Sequence, residues 1–333
     1  MEPLRIVAIG GGTGLSTLLK GLKEYAREPR QVEITAVVTV TDDGGSSGRL
    51  RREFDVLPPG DIRNCMVALS EDEALLSKLF QYRFSEGKGL KGHSFGNLFV
   101  TALTDITGDF AAAVRLSSEI LAIAGRIYPS TAANATLEAE LSNGTVVQGE
   151  TKISKSRSRI ARIRLAPGPC LPVPETLDAI SKADLITFGP GSLFTSVIPN
   201  ILVEGIPEAI QRSPALKAYF VNLMWQPGET IEFRASDHIH AIHRHAGMKL
   251  LDIVVVNTGA ITSEQHEKYA VMRVQPVVND IKNLENMGLE VVGAHLLSES
   301  EIVRHDPHAA GKIALELAHR ARRMRQDALV QAL

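Results

Sequence analysis

Residues 4–25, LRIVAIGGGTGLSTLLKGLKEY, decide the fold of this chain. The mainly apolar residues 4–9 predict a short buried strand, and the glycines that follow predict a tight turn into a helix. That helix places four leucines on one face: Leu15, Leu18, Leu19 and Leu22. A second strand is predicted in VEITAVVTVTDDGG, residues 32–45, where a β-branched run stops at an acidic, glycine-rich loop. These segments together predict the start of a parallel sheet.

Strand-like and helix-like segments keep alternating through the rest of the chain. The later strand-like segments are DLITF at 184–188, AYFVNL at 218–223, LDIVVVN at 251–257 and LEVVGAHLL at 289–297. Such alternation predicts an α/β fold with a mainly parallel sheet and helices on both faces. We therefore expect residues 1–333 to form a single α/β domain.

Two stretches depart from this alternation. Residues 60–126 carry long apolar runs at helical spacing and predict an inserted helical segment. Residues 134–166 predict a small antiparallel β excursion, because two β-rich arms flank Asn143-Gly144, a strong hairpin signal.

Composition excludes several classes of protein. With 36 Lys and Arg against 38 Asp and Glu, the net charge of -2 argues against a protein that coats nucleic acid. Cys65 and Cys170 lack the spacing of a disulfide framework or a zinc site, which favours a reducing compartment. No apolar run approaches the roughly 18 residues of a membrane span, and no signal peptide is evident. We expect a soluble cytoplasmic protein.

The first candidate binding motif is the glycine turn between strand and helix: Gly10, Gly11, Gly12, Thr13 and Gly14. Without side chains, the backbone of such a turn can approach a phosphate, and the helix N-terminus offers unpaired N–H groups. The alternative is a tight turn that simply needs glycine. Leu15 stands where the dinucleotide fingerprint requires its third glycine, which disfavours a nicotinamide dehydrogenase.

The second motif is the acidic loop TDDGGSSGR at 41–49, expected at the carboxyl end of a strand and facing the first turn. Asp42 and Asp43 are candidates to hold Mg²⁺, the one cofactor the sequence suggests, or to act in catalysis. Ser46, Ser47 and Arg49 are candidates to bind phosphate oxygens. The alternative is that the two carboxylates only cap a turn.

Two further polar motifs precede predicted helices. In PPGDIRN at 58–64, Asp61 and Asn64 are candidate ligand contacts, although helix capping alone would explain Asp61. In GHSFGN at 92–97, the candidates are His93, Ser94 and Asn97. A histidine can serve as acid, base or phosphate donor, but Ser94 capping a helix with His93 packed beside it is an equal explanation.

A second glycine-rich turn, GPGSLFTS at 189–196, again follows a strand and opens a helix. Its candidate ligand contacts are Gly189, Gly191, Ser192, Thr195 and Ser196. Two such turns in one chain predict a ligand anchored at two points, such as a diphosphate. The alternative is another tight turn.

Two conspicuous patterns carry less weight. The histidines at 238, 240, 243 and 245 do not share one helical face, so an ordinary polar helix is the better interpretation than a metal site. The basic stretch at 152–164 predicts a solvated edge strand whose positive charge blocks aggregation.

The motifs as an ensemble resemble the gluconeogenesis factor (YvcK-like) family, which is related in fold to the CofD phospholactyl transferase. The resemblance is carried by IVAIGGGTGLSTLLKGLK, VTVTDDGGSSGRLR, PPGDIRNCMVAL, HSFGNLFVTAL, GPGSLFTSVIPNILV and VRHDP. It implies a Rossmann-like fold and a UDP-sugar ligand such as UDP-N-acetylglucosamine. It also implies a role in cell shape, peptidoglycan supply and growth on gluconeogenic carbon sources.

Carried over by resemblance, residues 10–14 match the family's nucleotide-end turn and Asp42-Asp43 match the acidic loop shared with the transferase. Tyr269 and Arg304 match positions that the family is thought to use for the UDP-sugar. From local sequence, Tyr269 is merely a strand-edge aromatic. The extended loop DDGGSSGRLR and the segment GPGSLFTS depart from the transferase branch, which favours the UDP-sugar-binding branch.

The sequence therefore predicts a nucleotide-sugar-binding regulator without an obvious nucleophile and base. The alternative is a transferase of the 2-phospho-L-lactate type that uses Mg²⁺ and a nucleoside diphosphate-linked donor. Candidate partners are a second copy of the chain, in a homodimer, and regulatory proteins that respond to the bound state.

Overall fold

A computed structural model describes residues 2–27, 29–71 and 75–331. Its main sheet has seven strands, all parallel. They are β1 Leu4–Gly10, β2 Val32–Val38, β3 Arg126–Pro129, β7 Leu185–Phe188, β8 Leu216–Phe220, β9 Ile253–Asn257 and β10 Glu290–Ala294. The predicted strands are confirmed, and so is the fold class.

Helices connect these strands. In the first half they are α1 Gly12–Ala26, α2 Gly45–Phe54, α3 Gly60–Leu69, α4 Leu75–Gln81, α5 Phe95–Thr107 and α6 Phe110–Ile120. In the second half they are α8 Pro174–Lys182, a π-helical turn at Leu193–Val197 that runs into α9 Ile198–Ile201, α10 Ile206–Arg212, α11 Ala235–Ala246, α12 Ser263–Ala270, α13 Ile281–Asn286 and α14 Pro307–Gln331. The stretch 60–126 that was predicted to be helical holds α3 to α6; its residues 72–74 lie outside the described part.

The strand order of the main sheet is β10-β9-β8-β7-β1-β2-β3. Chain order therefore runs outward from β1 to β3 in one direction, and from β7 to β10 in the other. This is the Rossmann order 3-2-1-4-5-6 with one further strand. The direction reverses between β1 and β7, and at such a switch point the loops after the two strands diverge and leave a crevice. Both glycine turns follow these two strands.

A separate antiparallel sheet lies between β3 and β7 in the chain. It consists of β4 Thr136–Leu141, β5 Val146–Gln148 and β6 Ile160–Ala166, in the order β5-β4-β6, with the short helix α7 Glu150–Ile153 after β5. It falls within the β excursion predicted at 134–166. The edge strand predicted at 152–164 is correct for β6 but wrong for residues 152–153, which belong to α7, because the turn at Gly149 starts a helix there.

The core has two parts, one on each face of the main sheet. Alternate residues of β1 supply them: Ile6 and Ala8 pack on the face covered by α1 and α14, whereas Val7 and Ile9 pack on the opposite face. This alternation follows from the two-residue period of a strand. On the first face, a Cβ at Gly21 of α1 would overlap the Pro307 carbonyl of α14, so glycine lets these helices approach closely.

The histidine-rich segment forms α11, as predicted, but it is not simply a polar helix. His238 and His245 are buried, and the imidazole of His245 accepts the backbone N–H of Ile163 (3.0 Å). Burial lowers the pKa of His238 to about 4, so this ring is neutral at pH 7. Among the described residues, no cluster of His, Cys, Asp and Glu could hold a metal ion.

No single described helix is long and apolar enough to cross a membrane. One bent pair of helical segments, Leu193–Ile201 with Ile206–Arg212, is long and apolar enough to do so by length and composition alone.

Candidate functional site

A crevice of about 340 Å³ opens at the carboxyl ends of β1, β7 and β8. Its lining comes from the two glycine turns, from the segment after β8 and from the loop before α14. The lining residues are Gly11, Gly12, Thr13, Gly14, Thr17, Glu150, Pro190, Gly191, Ser192, Ser196, Asn222, Leu223, Met224, Trp225, Gln226, Val303, Arg304 and His305. The structure thus brings most residues of the two predicted glycine motifs, and Arg304, to one place.

The two glycine turns pack directly on each other. A Cβ on Gly14 would overlap the Pro190 carbonyl, so the first turn can approach the second only with glycine at this position. A Cβ on Gly191 would lie 3.4 Å from that of Ser196, and Gly191 has φ +159°. Close backbone approach is therefore a structural requirement here, as well as the feature that exposes N–H groups to a ligand.

Asp61 lies against the first turn. Its carboxylate accepts the backbone N–H of Gly12, and a Cβ on Gly11 would lie 2.6 Å from Asp61 Oδ2. Loss of water, reinforced by neighbouring Asp42, raises its pKa to about 7. The capping explanation of Asp61 is wrong, because the N-cap of α3 is Pro59 and Asp61 reaches across to α1 instead.

Glu229 holds the equivalent position at the second turn. This buried side chain accepts the backbone N–H of Phe194 (3.1 Å) and the hydroxyl of Thr195 (3.3 Å). Desolvation raises its pKa to about 7. The hydroxyl of Thr195 is therefore directed away from the crevice, and the ligand contact predicted for Thr195 gains no geometric support.

A chain of side-chain hydrogen bonds orients the wall of the crevice. Gln226 donates to Ser192 Oγ (2.7 Å), Asn222 donates to Gln226 (2.8 Å), and the buried Tyr219 hydroxyl donates to Asn222 (3.1 Å). The second glycine turn is thereby coupled to the segment after β8. These amides sit at a fixed angle because each has partners on both sides.

Arg304 and Tyr269, which the family resemblance singled out, have different environments. The guanidinium of the exposed Arg304 lines the crevice and makes no hydrogen bond or ion pair with any described residue. Tyr269 lies in α12, not at a strand edge as its local sequence suggests, and it is absent from the lining. Its hydroxyl accepts the backbone N–H of Val303 (3.2 Å), next to Arg304.

The acidic loop reaches the small sheet. Asp43 Oδ1 accepts the backbone N–H (2.9 Å) and the hydroxyl (2.7 Å) of Thr151, at the start of α7. Asp42 Oδ1 accepts the N–H of Gly44 (2.8 Å), which is the turn-capping contact foreseen as the alternative. The two bonds between Asp43 and Thr151 hold the start of α7 so that the half-buried Glu150 lies on the crevice. Burial and the surrounding carboxylates, Asp61 first, raise its pKa to about 9.

The remaining candidates form a packed polar network beside the crevice. Ser46 bonds the His93 ring (3.0 Å), Asn97 donates to Ser47 (3.2 Å), and Ser94 accepts the N–H of Asn97 as the N-cap of α5. Asn64 accepts from Arg63 (2.6 Å), and Arg49 donates to the Lys91 carbonyl (2.7 Å). None of these candidates lines the crevice. Their ligand roles stay predictions.

Sequence reasoning missed several residues of the site. Asn222 and Gln226 directly follow a predicted strand, so the rule that ligands bind at strand ends would have found them. Glu150 and Glu229 carry no such signal, since Glu150 reaches the crevice from the short helix α7 and Glu229 reaches the second turn from a distant loop.

Comparisons with known proteins give a consistent result. The profile of the family described as "2-phospho-L-lactate transferase CofD" matches residues 6–297. The gluconeogenesis factor of Bacillus subtilis is 46% identical over 314 residues, which is 94% of this chain and 98% of that protein. The putative gluconeogenesis factor of Aquifex aeolicus is 47% identical, over 95% of this chain and 97% of that protein. A crystal structure of a Bacillus halodurans protein superposes with a TM-score of 0.90 at 45% identity, over 95% of this chain and 99% of that chain.

Strand order and the glycine turns at the switch point define a Rossmann-like α/β protein with its crevice at the strand ends. The sequence and fold matches extend over nearly the whole chain. The chain belongs to the CofD-like family of gluconeogenesis factors.

Proposed function

We propose that the chain binds a UDP-sugar, with UDP-N-acetylglucosamine as the leading candidate. One observation carries this proposal: two glycine turns line the same crevice as the guanidinium of Arg304, which has no bonding partner in the described part of the chain. Backbone N–H groups and a forked guanidinium together are well suited to a diphosphate.

The carboxyls of the crevice are compatible with an anionic ligand. With its pKa raised to about 9, Glu150 is protonated at pH 7 and can donate a hydrogen bond to a phosphate oxygen. Asp61, with a pKa of about 7, is half protonated there. The charge of Glu150 at the crevice is thereby removed, and that of Asp61 behind the first turn is halved.

We further propose that ligand binding is regulatory. Relatives named gluconeogenesis factors support a role in growth on gluconeogenic carbon sources. We extend this role to cell shape and peptidoglycan supply, exerted in the cytoplasm through protein partners or a homodimer that respond to the bound state. A strain that lacks the protein should regain growth and shape with the wild type but not with a variant unable to bind the ligand.

Calorimetric titration of UDP-N-acetylglucosamine tests the proposal. We expect Arg304→Ala to weaken binding by tenfold or more, since a charged hydrogen bond contributes roughly 1.5–3 kcal/mol. Arg304→Lys should bind with intermediate affinity, because lysine keeps the charge but loses the fork. Arg323→Ala, an exposed arginine on α14, is the matched control. Absence of heat with folded wild type at millimolar ligand would rule out UDP-sugar binding.

A second candidate function is favoured by the family description, 2-phospho-L-lactate transferase. In that case a hydroxyl acceptor would attack the outer phosphorus of a nucleoside diphosphate-linked donor and lose its proton to solvent, the P–O–P bridge would break, and the nucleoside monophosphate would leave; Mg²⁺ near the acidic loop would stabilise the charge on the phosphates. Asp43 fits an ion poorly, because Oδ1 is bonded to Thr151 and Oδ2 packs on the Gly149 backbone. Asp42 is the better carboxylate, since magnesium commonly takes one or two carboxylates together with phosphate and water.

Phosphorus NMR of donor consumption separates these roles. Under the transferase hypothesis, Asp42→Asn should abolish turnover. Asp43→Asn should keep most of the turnover, because an amide oxygen can still accept both hydrogen bonds from Thr151. If no diphosphate-linked donor is consumed with any hydroxyl acceptor, the transferase hypothesis fails and UDP-sugar binding is unaffected.

A further inference from the structure

A second, smaller cavity of about 180 Å³ lies beside the crevice, where β8 and β9 end. Its lining residues are Asn222, Leu223, Asn257, Gly259, Ile261, His266, Pro276, Val277 and Asn279. Asn222 and Leu223 line both spaces, so the small cavity directly adjoins the crevice.

The polar side chains of this cavity differ in how many hydrogen-bond donors and acceptors they leave without a partner. The amide of Asn257 donates to the Gly259 carbonyl and accepts the N–H groups of Gly259 and Leu296, so its oxygen is saturated and its orientation is fixed. Asn279 uses one N–H on the Asn257 carbonyl (2.7 Å) and keeps its carbonyl oxygen. Asn222 keeps one N–H, and the His266 ring has no hydrogen bond to any described residue. Amide groups and one imidazole with hydrogen-bonding capacity to spare therefore line a small space.

The rest of the lining identifies the kind of group that fits. Leu223, Ile261, Pro276 and Val277 form an apolar surface beneath the amides. Among the lining residues there is no Lys or Arg to pair with phosphate and no Phe, Tyr or Trp to stack on a base. The crevice, in contrast, contains Arg304 and Trp225. A sugar ring, with hydroxyls at its edge and C–H groups on its faces, matches the small cavity best.

We propose that the cavity between Asn222, His266 and Asn279 is the sugar subsite of the ligand whose nucleoside diphosphate occupies the crevice. This inference rests on the proposed function and makes it more specific. The amide of Asn222 marks the boundary between the two parts of the ligand. The cavity thus determines which nucleotide sugar binds, whereas the crevice determines whether a diphosphate binds at all.

Calorimetric titration of UDP and of UDP-N-acetylglucosamine into the full chain tests the assignment. The wild type should bind the sugar nucleotide more tightly than UDP. His266→Ala and Asn279→Ala should each reduce that preference by about fivefold, the effect of one neutral hydrogen bond, and leave UDP affinity within about twofold. His308→Ala and Asn283→Ala, which lie outside both cavities, are the matched controls and should keep the preference.

The titrations distinguish sugar binding in the small cavity from UDP-sugar binding by the chain as a whole. If the wild type binds UDP and UDP-N-acetylglucosamine equally well, or if both variants keep the preference, the sugar does not occupy this cavity. If the variants weaken UDP as much as the sugar nucleotide, the cavity holds the nucleotide, and the assignment is overturned. If the wild type binds neither compound, the proposed function itself fails. His266 is exposed and unbonded among the described residues, so its variant should fold, which a melting curve checks.

Discussion

The side chain of Glu229 is a buried carboxyl group whose pKa lies within the physiological range. Its carboxylate accepts two groups of the turn at 194–195, yet desolvation outweighs these bonds and raises the pKa from 4.5 to about 7. The folded state therefore binds a proton that the unfolded state releases between these values. This difference makes the free energy of unfolding fall as pH rises from about 4.5 to 7.

We predict that Glu229→Gln removes this part of the pH dependence. A shift of this size corresponds to roughly 3 kcal/mol at most, so the variant should gain stability relative to the wild type as pH rises. Melting temperatures between pH 4.5 and 8.5 measure the effect. Asp61 contributes in both proteins, whereas Glu150 loses the part of its shift that comes from Glu229, which changes the difference between the two curves in the same direction. Parallel curves would contradict a raised pKa for Glu229.

Glycines of the first turn are not equivalent, although the sequence gives no means of telling them apart. A Cβ at Gly10 would make ordinary contact with Leu15, 3.5 Å away, whereas one at Gly14 would overlap the Pro190 carbonyl. We expect Gly14→Ala to cost several kcal/mol of stability, because backbone cannot yield as a flexible side chain can. Gly10→Ala should melt near the wild type. Equal melting temperatures for the two variants would disprove the close packing of the turns.

At the scale of elements, α12 holds the loop that carries Arg304. Gln265 donates to the Ser300 carbonyl (2.8 Å), Lys268 pairs with Glu301 (3.2 Å), and the Tyr269 hydroxyl accepts the N–H of Val303 (3.2 Å). Because Tyr269 does not line the crevice but bonds the residue next to Arg304, we infer that it positions this arginine. The helix and loop act as one support for the guanidinium.

A double-mutant cycle tests this positioning role. Tyr269→Phe should weaken UDP-N-acetylglucosamine binding in a background with Arg304, by about fivefold for one lost hydrogen bond. In the Arg304→Ala background the same change should have little further effect, since the group being positioned is gone. Additive losses would instead indicate that Tyr269 contacts the ligand directly.

At the scale of the whole molecule, the amino end of the sheet is fixed by the C-terminal helix. Asp184 precedes β7 and is almost fully buried, with its side chain 2% exposed. It accepts the N–H of Arg5 (2.7 Å) and pairs with Arg322 (2.5 Å) and Arg325 of α14. This cluster joins the first strand, the fourth strand of the sheet order and the last helix, at the end of the sheet away from the crevice.

We predict that Asp184→Ala lowers the melting temperature strongly but leaves ligand affinity unchanged well below it. Removing one partner of a buried ion pair leaves uncompensated charge and typically costs about 3–5 kcal/mol. Thermal unfolding and calorimetry on the same preparation measure both quantities. A large loss of affinity at low temperature would show that the two ends of the sheet are coupled.

Sequence reasoning predicted the fold well because the fold is encoded locally. The strand, glycine turn and leucine face at 4–25 each follow from short-range periodicity, and the structure confirms them. The site was predicted in part: the two turns meet, but Asp61 and Thr195 bind the protein itself. Glu150 and Glu229 reach the turns through long-range packing, for which short-range patterns provide no information.

Within the main sheet, the halves β1–β3 and β7–β10 are joined where Ile6 to Ile9 pair with Leu185 to Phe188. The crevice straddles this seam, and each half contributes one turn to it. A ligand that binds both turns therefore links the two halves of the sheet and opposes their separation. Ligand binding would then slow the exchange of the amide hydrogens along these two strands, including those far from the crevice. The resistance of the sheet to opening would in this way depend on the ligand concentration.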